Sequence, residues 1–218
     1  MDNKAESKPK AGTNKFLQGG VNTNKRVIVP RPCNSEVVKY LNKWDTLENY
    51  RLQEDSLNKL FYHTYPKNTD INDILIKASS LNDFYSTNIF SIFPVAKHIL
   101  GLDIDVRLQN GDESLVNDIA RINIGGKEKF FYSFSTKYCS HHNPINFPIY
   151  DSFVEKILLY FKTKDKFSIF KKEELKDYKK FKEILIIFKK YYDIDIYNLK
   201  DIDKYLWQLG KVYFPREY

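Results

Sequence analysis

Apolar residues recur at helical spacing over most of the chain, and this pattern constrains the fold more than any other feature. Intervals of three and four residues place such side chains on one face of a helix. The spacing is seen in Val37, Val38, Leu41 and Trp44, and again in Ile71, Ile74, Leu75, Ala78 and Leu81. Strand-like alternation is confined to residues 25–29 and 103–108, which we interpret as short extended segments. The sequence therefore predicts a mainly α fold.

Proline, glycine and capping residues mark where the helices begin and end. Pro66 stops one helix, and Asp70 or Asn72 caps the next. A loop is predicted over residues 82–88. Further helices are predicted over residues 89–101, 112–126, 129–141, 173–192 and 205–209. Asp151 stands where another helix begins.

The domain organisation follows from length and from one change in composition. A chain of 218 residues suits one domain with a small appendage. Residues 1–31 are rich in Lys, Asn, Gly and Pro and lack apolar periodicity, so they bury too little surface to offset their ordering entropy. We predict a flexible, disordered basic arm over residues 1–31 and a single helical domain over residues 32–218.

Charge and cysteine content restrict the partners and the compartment. A net charge of +7 and a pI of about 9.1 favour a polyanionic partner, although A/T-rich coding DNA, which favours Lys, Asn, Ile, Tyr and Phe, would also account for the high lysine content. Cys33 and Cys139 are too few for a disulfide framework or an iron–sulfur cluster, so a reducing, cytoplasmic setting is expected. No apolar run approaches the ~20 residues of a membrane span. We expect a monomer without cofactor or membrane contact.

Residues 131–154, FYSFSTKYCSHHNPINFPIYDSFV, concentrate reactive side chains in an aromatic and apolar run. Lys137 either reaches solvent or is desolvated, in which case a lowered pKa would make its amine a nucleophile. Asp151 is either a helix cap alone or a carboxylate that stabilises a cationic sugar or deprotonates an attacking water. Cys139, His141 and His142 diverge at helical spacing, which disfavours a zinc site. One histidine is expected to face a phosphate or cap the helix end.

The motifs STKYC and PIYDSFV resemble the corresponding part of helix–hairpin–helix DNA glycosylases. The resemblance implies that Asp151 opens a helix at the mouth of a base pocket and that Lys137 forms a Schiff base with the sugar. It also implies double-stranded DNA as the partner and extrusion of the target base, because a glycosidic bond cannot be reached inside the stack. The usual L-P-G-V-G-x-x-x-A hairpin is absent, and the separation of Lys137 from Asp151 is a few residues shorter than in that superfamily.

Further candidate contacts follow from the same resemblance. The segment LNDFYSTNI is similar to a turn that enters the duplex, and other aromatic and histidine residues accompany Lys137. The candidate DNA or substrate contacts are Asn82, Tyr85, Ser86, Thr87, Asn88, Tyr138, His141, His142 and Tyr150. The aromatic candidates for stacking also include Phe131, Tyr132 and Phe134, although such spacing is equally typical of a core. The stretches TKYCSHHNP and YLWQLGK resemble a bacterial group, and glycosylase-like proteins of this general kind act against phages with modified bases.

Two other functions are compatible with the same residues. A binding module would hold DNA or a protein partner, with Asp151 serving only as a helix cap. A nuclease would use Asp103, Asp105 and Asp112 with a divalent metal, since an extended DIDVRL segment would place the first two carboxylates on one face. The favoured expectation is a DNA glycosylase that excises a modified or damaged base.

Overall fold

The computed structural model describes residues 27–215, and the fold within this range is mainly helical, as predicted. Most of the predicted basic arm lies outside these residues. The α-helices are α1 Asn34–Thr46, α2 Glu48–Asn58, α3 Ile71–Tyr85, α4 Ile92–Gly101, α5 Asp105–Gln109, α6 Ser114–Ala120, α7 Tyr132–His142, α8 Ser152–Asp165, α9 Tyr178–Tyr191 and α10 Leu199–Tyr213. A π-helical segment, Lys59–Thr64, extends α2, and a 3-10 helix, Lys172–Lys176, precedes α9. Strands β1 Arg121–Ile124 and β2 Lys127–Phe130 form a hairpin.

Helix α7 lies at the centre of the fold, and nine of its eleven residues are buried. It packs against α3, α6 and the π-helical segment. Helix α10 forms a second set of contacts, with α1 and α8. A helix that is buried all round is usually apolar, yet α7 buries serine, threonine, lysine and histidine. Buried polar groups require hydrogen-bond partners, so the hydrogen bonds of the polar residues of α7 fix the positions of the elements that supply those partners.

Two predicted helix caps are confirmed. The Asp70 carboxylate accepts hydrogen bonds from the backbone N–H groups of Asn72 and Asp73 at the start of α3. Asp151 accepts from the N–H of Phe153 at 2.8 Å, which starts α8. A carboxylate at this position satisfies otherwise unpaired N–H groups and interacts favourably with the helix dipole. Capping alone therefore fixes where the Asp151 side chain lies.

The prediction of one helix up to Gly125–Gly126 and another from residue 129 is wrong, because a β-hairpin lies between α6 and α7. Its strands pair antiparallel, with Ile124 opposite Lys127. Gly125 and Gly126 both have positive φ, +60° and +79°, as a two-residue hairpin turn requires. This turn reverses the chain and delivers it to the start of α7.

Several other boundaries differ from prediction. Residues 103–108 are not extended, because α5 begins at Asp105. Helix α3 continues through Asn82 into the predicted loop and ends where Ser86 adopts the left-handed conformation. The helix predicted over residues 173–192 is interrupted at Asp177, whose carboxylate caps α9. Helix α10 is three turns longer in all than the segment 205–209 suggested, and residues 27–29 form no strand.

In the part of the chain that the structure describes, no helix is both long enough and apolar enough to cross a bilayer.

Candidate functional site

A cavity of about 480 Å³ lies between six helices, and Lys137 and Asp151 are both in its wall. Helix α7 contributes Lys137, and the start of α8 contributes Asp151. The other polar and aromatic lining residues are Trp44, Tyr50, Gln53, Glu54, Phe84, Tyr85, Ser86, Phe153, Lys200, Asp203, Lys204, Trp207 and Lys211. The cavity thus combines charged groups of both signs with aromatic rings, as enclosed ligand sites commonly do.

Lys137 and Asp151 form an ion pair inside this cavity. The Lys137 Nζ lies 3.7 Å from Asp151 Oδ2, while the other carboxylate oxygen holds the helix cap. Only 3% of the lysine side chain and 15% of the aspartate side chain are exposed. Interactions between charges are strengthened when both are shielded from water.

The buried ammonium of Lys137 is held by several acceptors. Its Nζ donates to Ser133 Oγ at 2.6 Å and to the carbonyl oxygens of Ser133 and Tyr150, each at 3.4 Å. The Tyr85 ring centroid lies 5.3 Å from the same nitrogen, within the range of a cation–π contact. A lysine that is buried without such partners would be severely destabilising. The partners therefore position the amine at the cavity wall rather than letting it extend to solvent.

One face of α10 supplies a second group of charges. Lys200, Asp203, Lys204, Trp207 and Lys211 recur at intervals of three and four residues and all line the cavity. Opposite them, the Glu54 carboxylate pairs with Lys200 at 3.0 Å and with Lys204 at 2.8 Å. Burial opposes the charge on Glu54, but these two ammonium groups lower its pKa. Glu54 consequently stays ionised near pH 7 and is not expected to donate or accept protons in a reaction.

Three aromatic rings meet beside this charged face. Trp207 makes edge contacts with Tyr50 and Trp44, with ring centroids 4.9 and 5.8 Å apart. Lys211 lies over the Trp207 and Tyr50 rings, and its Nζ donates to the Tyr50 hydroxyl at 2.6 Å. Aromatic clusters of this kind can hold a planar ring by stacking, and a nucleobase is one such ring.

Some of the residues predicted from the LNDFYSTNI segment line the cavity, and others brace the turn. Tyr85 and Ser86 are lining residues. The Asn82 amide instead bonds the backbone N–H and carbonyl of Ile89 at 3.0 and 3.1 Å and accepts from Thr87 Oγ at 2.7 Å. Asn88 is exposed and has a φ of +59°. Asn82 and Thr87 therefore hold the shape of the turn from within.

Three of the four remaining predicted contacts are buried behind the cavity wall, whereas His142 is half-buried and lines a separate pocket with Asp103 and Asp105. Tyr138 is 0% exposed and donates to Asn68 Oδ1, and Tyr150 is buried with its hydroxyl bonded to Glu155. His141 bonds the Tyr85 hydroxyl at 3.0 Å. His142 lies within 3.2 Å of the Asn68 amide. Tyr138, His141 and Tyr150 do not line the cavity, and their hydrogen bonds hold its wall in place.

Burial also determines the charge of the two histidines. Desolvation, reinforced by nearby lysines, lowers the pKa of His141 and of His142 well below the usual value. Both imidazoles are therefore neutral near pH 7. The expectation that one of them faces a phosphate or caps the helix end stays a prediction, and a neutral ring would contact a phosphate through a hydrogen bond rather than as a cation. The other aromatic candidates also differ in exposure: Tyr132 and Phe134 are core residues, whereas Phe131 is half-buried.

The acidic residues considered for a nuclease have separate structural partners. Asp105 accepts from the Asn68 amide at 2.6 Å, and Asp112 pairs with Arg107 at 2.7 Å. Asp103 occupies a turn with a φ of +47°. Within residues 27–215, no three or more His, Cys, Asp or Glu side chains are grouped so as to hold a metal ion.

Sequence reasoning missed the contribution of α10 and of residues 44–54. The signal in α10 was Trp207, which interrupts a stripe otherwise made of charged residues, while Leu199, Ile202 and Leu206 form the buried face. A large aromatic side chain on the polar face of a helix indicates that this face borders a cavity or a partner rather than open solvent. No comparable pattern distinguishes Glu54, which resembles any surface carboxylate in the sequence.

The fold and cavity define a mainly helical protein with a buried lysine–aspartate pair, and comparison with known proteins places it in a family. A family model described as HI_0787_N, N-terminal domain, matches residues 36–146, from α1 to just beyond α7. An uncharacterized protein of Haemophilus influenzae is 58% identical over 149 residues, which cover 68% of this chain and 71% of that protein. This chain belongs to the HI_0787_N family. No solved structure matches it.

Proposed function

We propose that this protein is a DNA N-glycosylase in which Lys137 and Asp151 act on the sugar of an extruded nucleotide. The observation that carries the proposal is the 3.7 Å ion pair between these side chains at the wall of a cavity that also contains aromatic rings. The two residues come from different elements, since Lys137 lies in α7 and Asp151 caps α8. The glycosylase-like motifs around both residues support the same assignment.

The chemistry assigns a separate task to each residue. Cleavage of an N-glycosidic bond develops positive charge on the sugar, and in this proposal the Asp151 carboxylate stabilises that charge. The Lys137 amine can attack the sugar C1′, and the resulting Schiff base permits strand cleavage. Trp44, Tyr50 and Trp207 provide the surface on which the extruded base stacks. A cavity of about 480 Å³ accommodates a base with additional substituents, consistent with a modified base as substrate.

The loop between α3 and α4 is the surface that we assign to duplex opening. Ser86 and Asn88 both have positive φ, and Phe90, four positions after the cavity residue Ser86, is fully exposed at 100%. Phe93, at the start of α4, is also largely exposed. An exposed phenylalanine on a braced turn can enter the base stack and occupy the space that an extruded base leaves.

The proposal is tested in two reactions, both in chelator. In the first, plasmid DNA and heavily modified phage genomes are incubated with the protein, and abasic sites are scored with an aldehyde-reactive probe. In the second, a duplex oligonucleotide with one abasic site is incubated with borohydride, which traps a lysine Schiff base whatever base the enzyme prefers. The variants are Asp151→Asn and Lys137→Gln, with exposed Asp195→Asn and Lys179→Gln as matched controls.

Asparagine is the informative replacement for Asp151 because it caps helices about as well as aspartate and removes only the charge. We expect Asp151→Asn to abolish abasic-site formation, and Lys137→Gln to abolish trapping, while both controls retain wild-type behaviour. Trapping that persists in Lys137→Gln would refute the nucleophile assignment. Activity that persists in Asp151→Asn would refute the role of its carboxylate.

A non-catalytic DNA- or partner-binding module is the second candidate, and one observation favours it. The hydrogen bond from Phe153 N–H to Asp151 is a complete structural reason for that aspartate. Salt-sensitive DNA binding without abasic sites or trapping on any substrate would support this candidate over the glycosylase.

A further inference from the structure

Asp203 is a third carboxyl group in the cavity, and neither the ion pair nor the α10 salt bridges account for it. It lies one helical turn from Lys200 and Trp207 on the cavity face of α10. Lys200 and Lys204, its neighbours on the same helix, direct their ammonium groups to Glu54. Asp203 thus lines the same space as Lys137 and Asp151 without being a partner in these bridges.

The charged groups around Asp203 lie on α10 itself and on three other elements, and two tyrosines from further helices also face it. Lys200 on α10 and Lys137 on α7 favour its ionised form, whereas Asp151 at the start of α8 and Glu54 on α2 oppose it. Tyr85 on α3 and Tyr178 on α9 also interact with this carboxyl, but burial raises the pKa of both phenols, so they stay neutral. Burial is the largest influence on Asp203 itself and raises its pKa to about 7. The group can therefore gain or lose a proton near neutral pH.

We propose that Asp203 is the proton acceptor that frees the Lys137 amine for attack and then returns this proton to the leaving group. This inference rests on the proposed glycosylase function and adds a residue to it. It is motivated by the geometry of the cavity, since Lys137 and Asp203 face the same enclosed space from different helices. Asp151 is poorly suited to the same task, because one of its oxygens is committed to the α8 cap.

The proton balance of the reaction closes with one carboxyl group. The Lys137 ammonium transfers a proton to the Asp203 carboxylate, which leaves a neutral amine and a neutral carboxylic acid. The amine then bonds to the sugar C1′ as the bond from C1′ to the base nitrogen breaks, and the departing base takes the proton from Asp203. On a preformed abasic site, the amine adds to the aldehyde, and the same proton leaves with the hydroxyl group as water. Asp203 is again a carboxylate at the end of either sequence.

The test uses the full-length protein and a duplex oligonucleotide with one abasic site, so that the identity of the excised base has no influence. Covalent trapping is followed in single turnover with cyanoborohydride between pH 5.5 and 8.5. The variants are Asp203→Asn and Asp203→Glu, and Asp195→Asn is the exposed control. The quantity of interest is the ratio of wild-type to variant rates at each pH, because the pH dependence of the reagent cancels in this ratio.

We expect the ratio for Asp203→Asn to be small at pH 5.5, where the wild-type carboxyl is already protonated, and to rise to about 100-fold or more above pH 8, as removal of an acid–base group typically gives. Asp203→Glu retains the carboxyl group and should give a ratio that changes little with pH, and Asp195→Asn should give a ratio near one throughout. A ratio for Asp203→Asn that is large but independent of pH would show a purely structural role and overturn the inference.

Two further outcomes separate this inference from the function on which it rests. Absence of trapping by the wild-type protein would overturn both together. Trapping by the wild type with an unchanged rate profile in Asp203→Asn would overturn only the role of Asp203. Should circular dichroism show that Asp203→Asn is unfolded, Asp203→Glu decides alone: a ratio of wild-type to Asp203→Glu rates that rises strongly with pH contradicts the proton-acceptor role, because glutamate retains the carboxyl group.

Discussion

Asp203 also affects folding, in a way that can be measured without any substrate. Burial raises its pKa to about 7 in the folded protein, above the ~3.9 of an unfolded aspartate. The stabilisation that comes from keeping it protonated is present below the unfolded pKa and is lost as pH rises through about 7. The melting temperature of Asp203→Asn minus that of wild type should therefore increase from pH 5 to pH 8. Thermal unfolding monitored by circular dichroism measures this difference; a difference that is constant with pH would contradict the raised pKa.

Asp151 has two roles that different substitutions can separate. Asp151→Ala removes both the acceptor of the 2.8 Å bond from Phe153 N–H and the charge that pairs with Lys137, whereas Asp151→Asn removes only the charge, so the free energy of unfolding of Asp151→Ala should be lower than that of Asp151→Asn by about 1 kcal/mol. Urea denaturation of both variants measures the effect. If Asp151→Asn destabilised the protein as much as Asp151→Ala, loss of the charge would explain any loss of turnover through folding alone.

At the scale of elements, the contact between α8 and α10 sets the width of the cavity. A Cβ atom added at Gly210 would lie 2.6 Å from the Cβ of Phe153 and 2.8 Å from its carbonyl oxygen, so Gly210→Ala must push the helices apart. Overpacking of this kind costs about 1–3 kcal/mol, against a gain of about 1 kcal/mol in helix propensity. Gly101→Ala is the matched control, since nothing lies within 4 Å of its added Cβ.

We expect Gly210→Ala to lower stability and to reduce trapping further than the stability loss explains, because Asp151 and Asp203 lie on the two displaced helices. Gly101→Ala should be neutral or slightly stabilising. Chemical denaturation and single-turnover trapping of both variants check this expectation. If Gly210→Ala trapped the abasic site at the wild-type rate, the site would tolerate a change in the spacing between α8 and α10.

The loop between α3 and α4 allows a similar paired comparison. Phe90 and Ile169 are both 100% exposed, so their replacement by alanine should leave stability unchanged. Phe90→Ala should slow the excision of a paired base, since the group that enters the stack is lost, while Ile169→Ala should not. Excision is compared on a duplex and on the same sequence as a single strand. Equal slowing on both would refute a role for Phe90 in opening the duplex.

The elements also show what the sequence could and could not predict. Helical spacing identified α3 and α8 well, because in each of them the apolar pattern begins directly after the capping residue, Asp70 or Asp151. The hairpin was missed because every residue of β2 is exposed, so it lacks the apolar alternation that marks a strand. The resemblance named Lys137 and Asp151 as candidates together, but it did not predict their 3.7 Å ion pair. The contributions of Glu54 and Asp203 depend on tertiary packing that no local pattern encodes.

Across the whole molecule, buried polar residues are concentrated around α7. Lys77 is 0% exposed and donates to Asn68 Oδ1 at 2.7 Å, and Asn68 in turn accepts from Tyr138 on α7. The neighbouring residue of α7, Lys137, lines the cavity. A core that is held by directed hydrogen bonds permits fewer alternative packings than an apolar one, although each bond must be satisfied. This arrangement fixes the helix on which the proposed nucleophile lies.

The only two tryptophans in the sequence, Trp44 and Trp207, both line the cavity. Tryptophan emission from the native protein therefore reports on one place, and no label is needed to observe it. A nucleobase that stacks on these rings should quench the emission, so a titration with abasic or intact duplex would separate entry into the cavity from binding elsewhere. Trp207→Phe should remove most of the response while Trp44 continues to emit. The intrinsic fluorescence of these two tryptophans therefore reports ligand entry into the cavity directly.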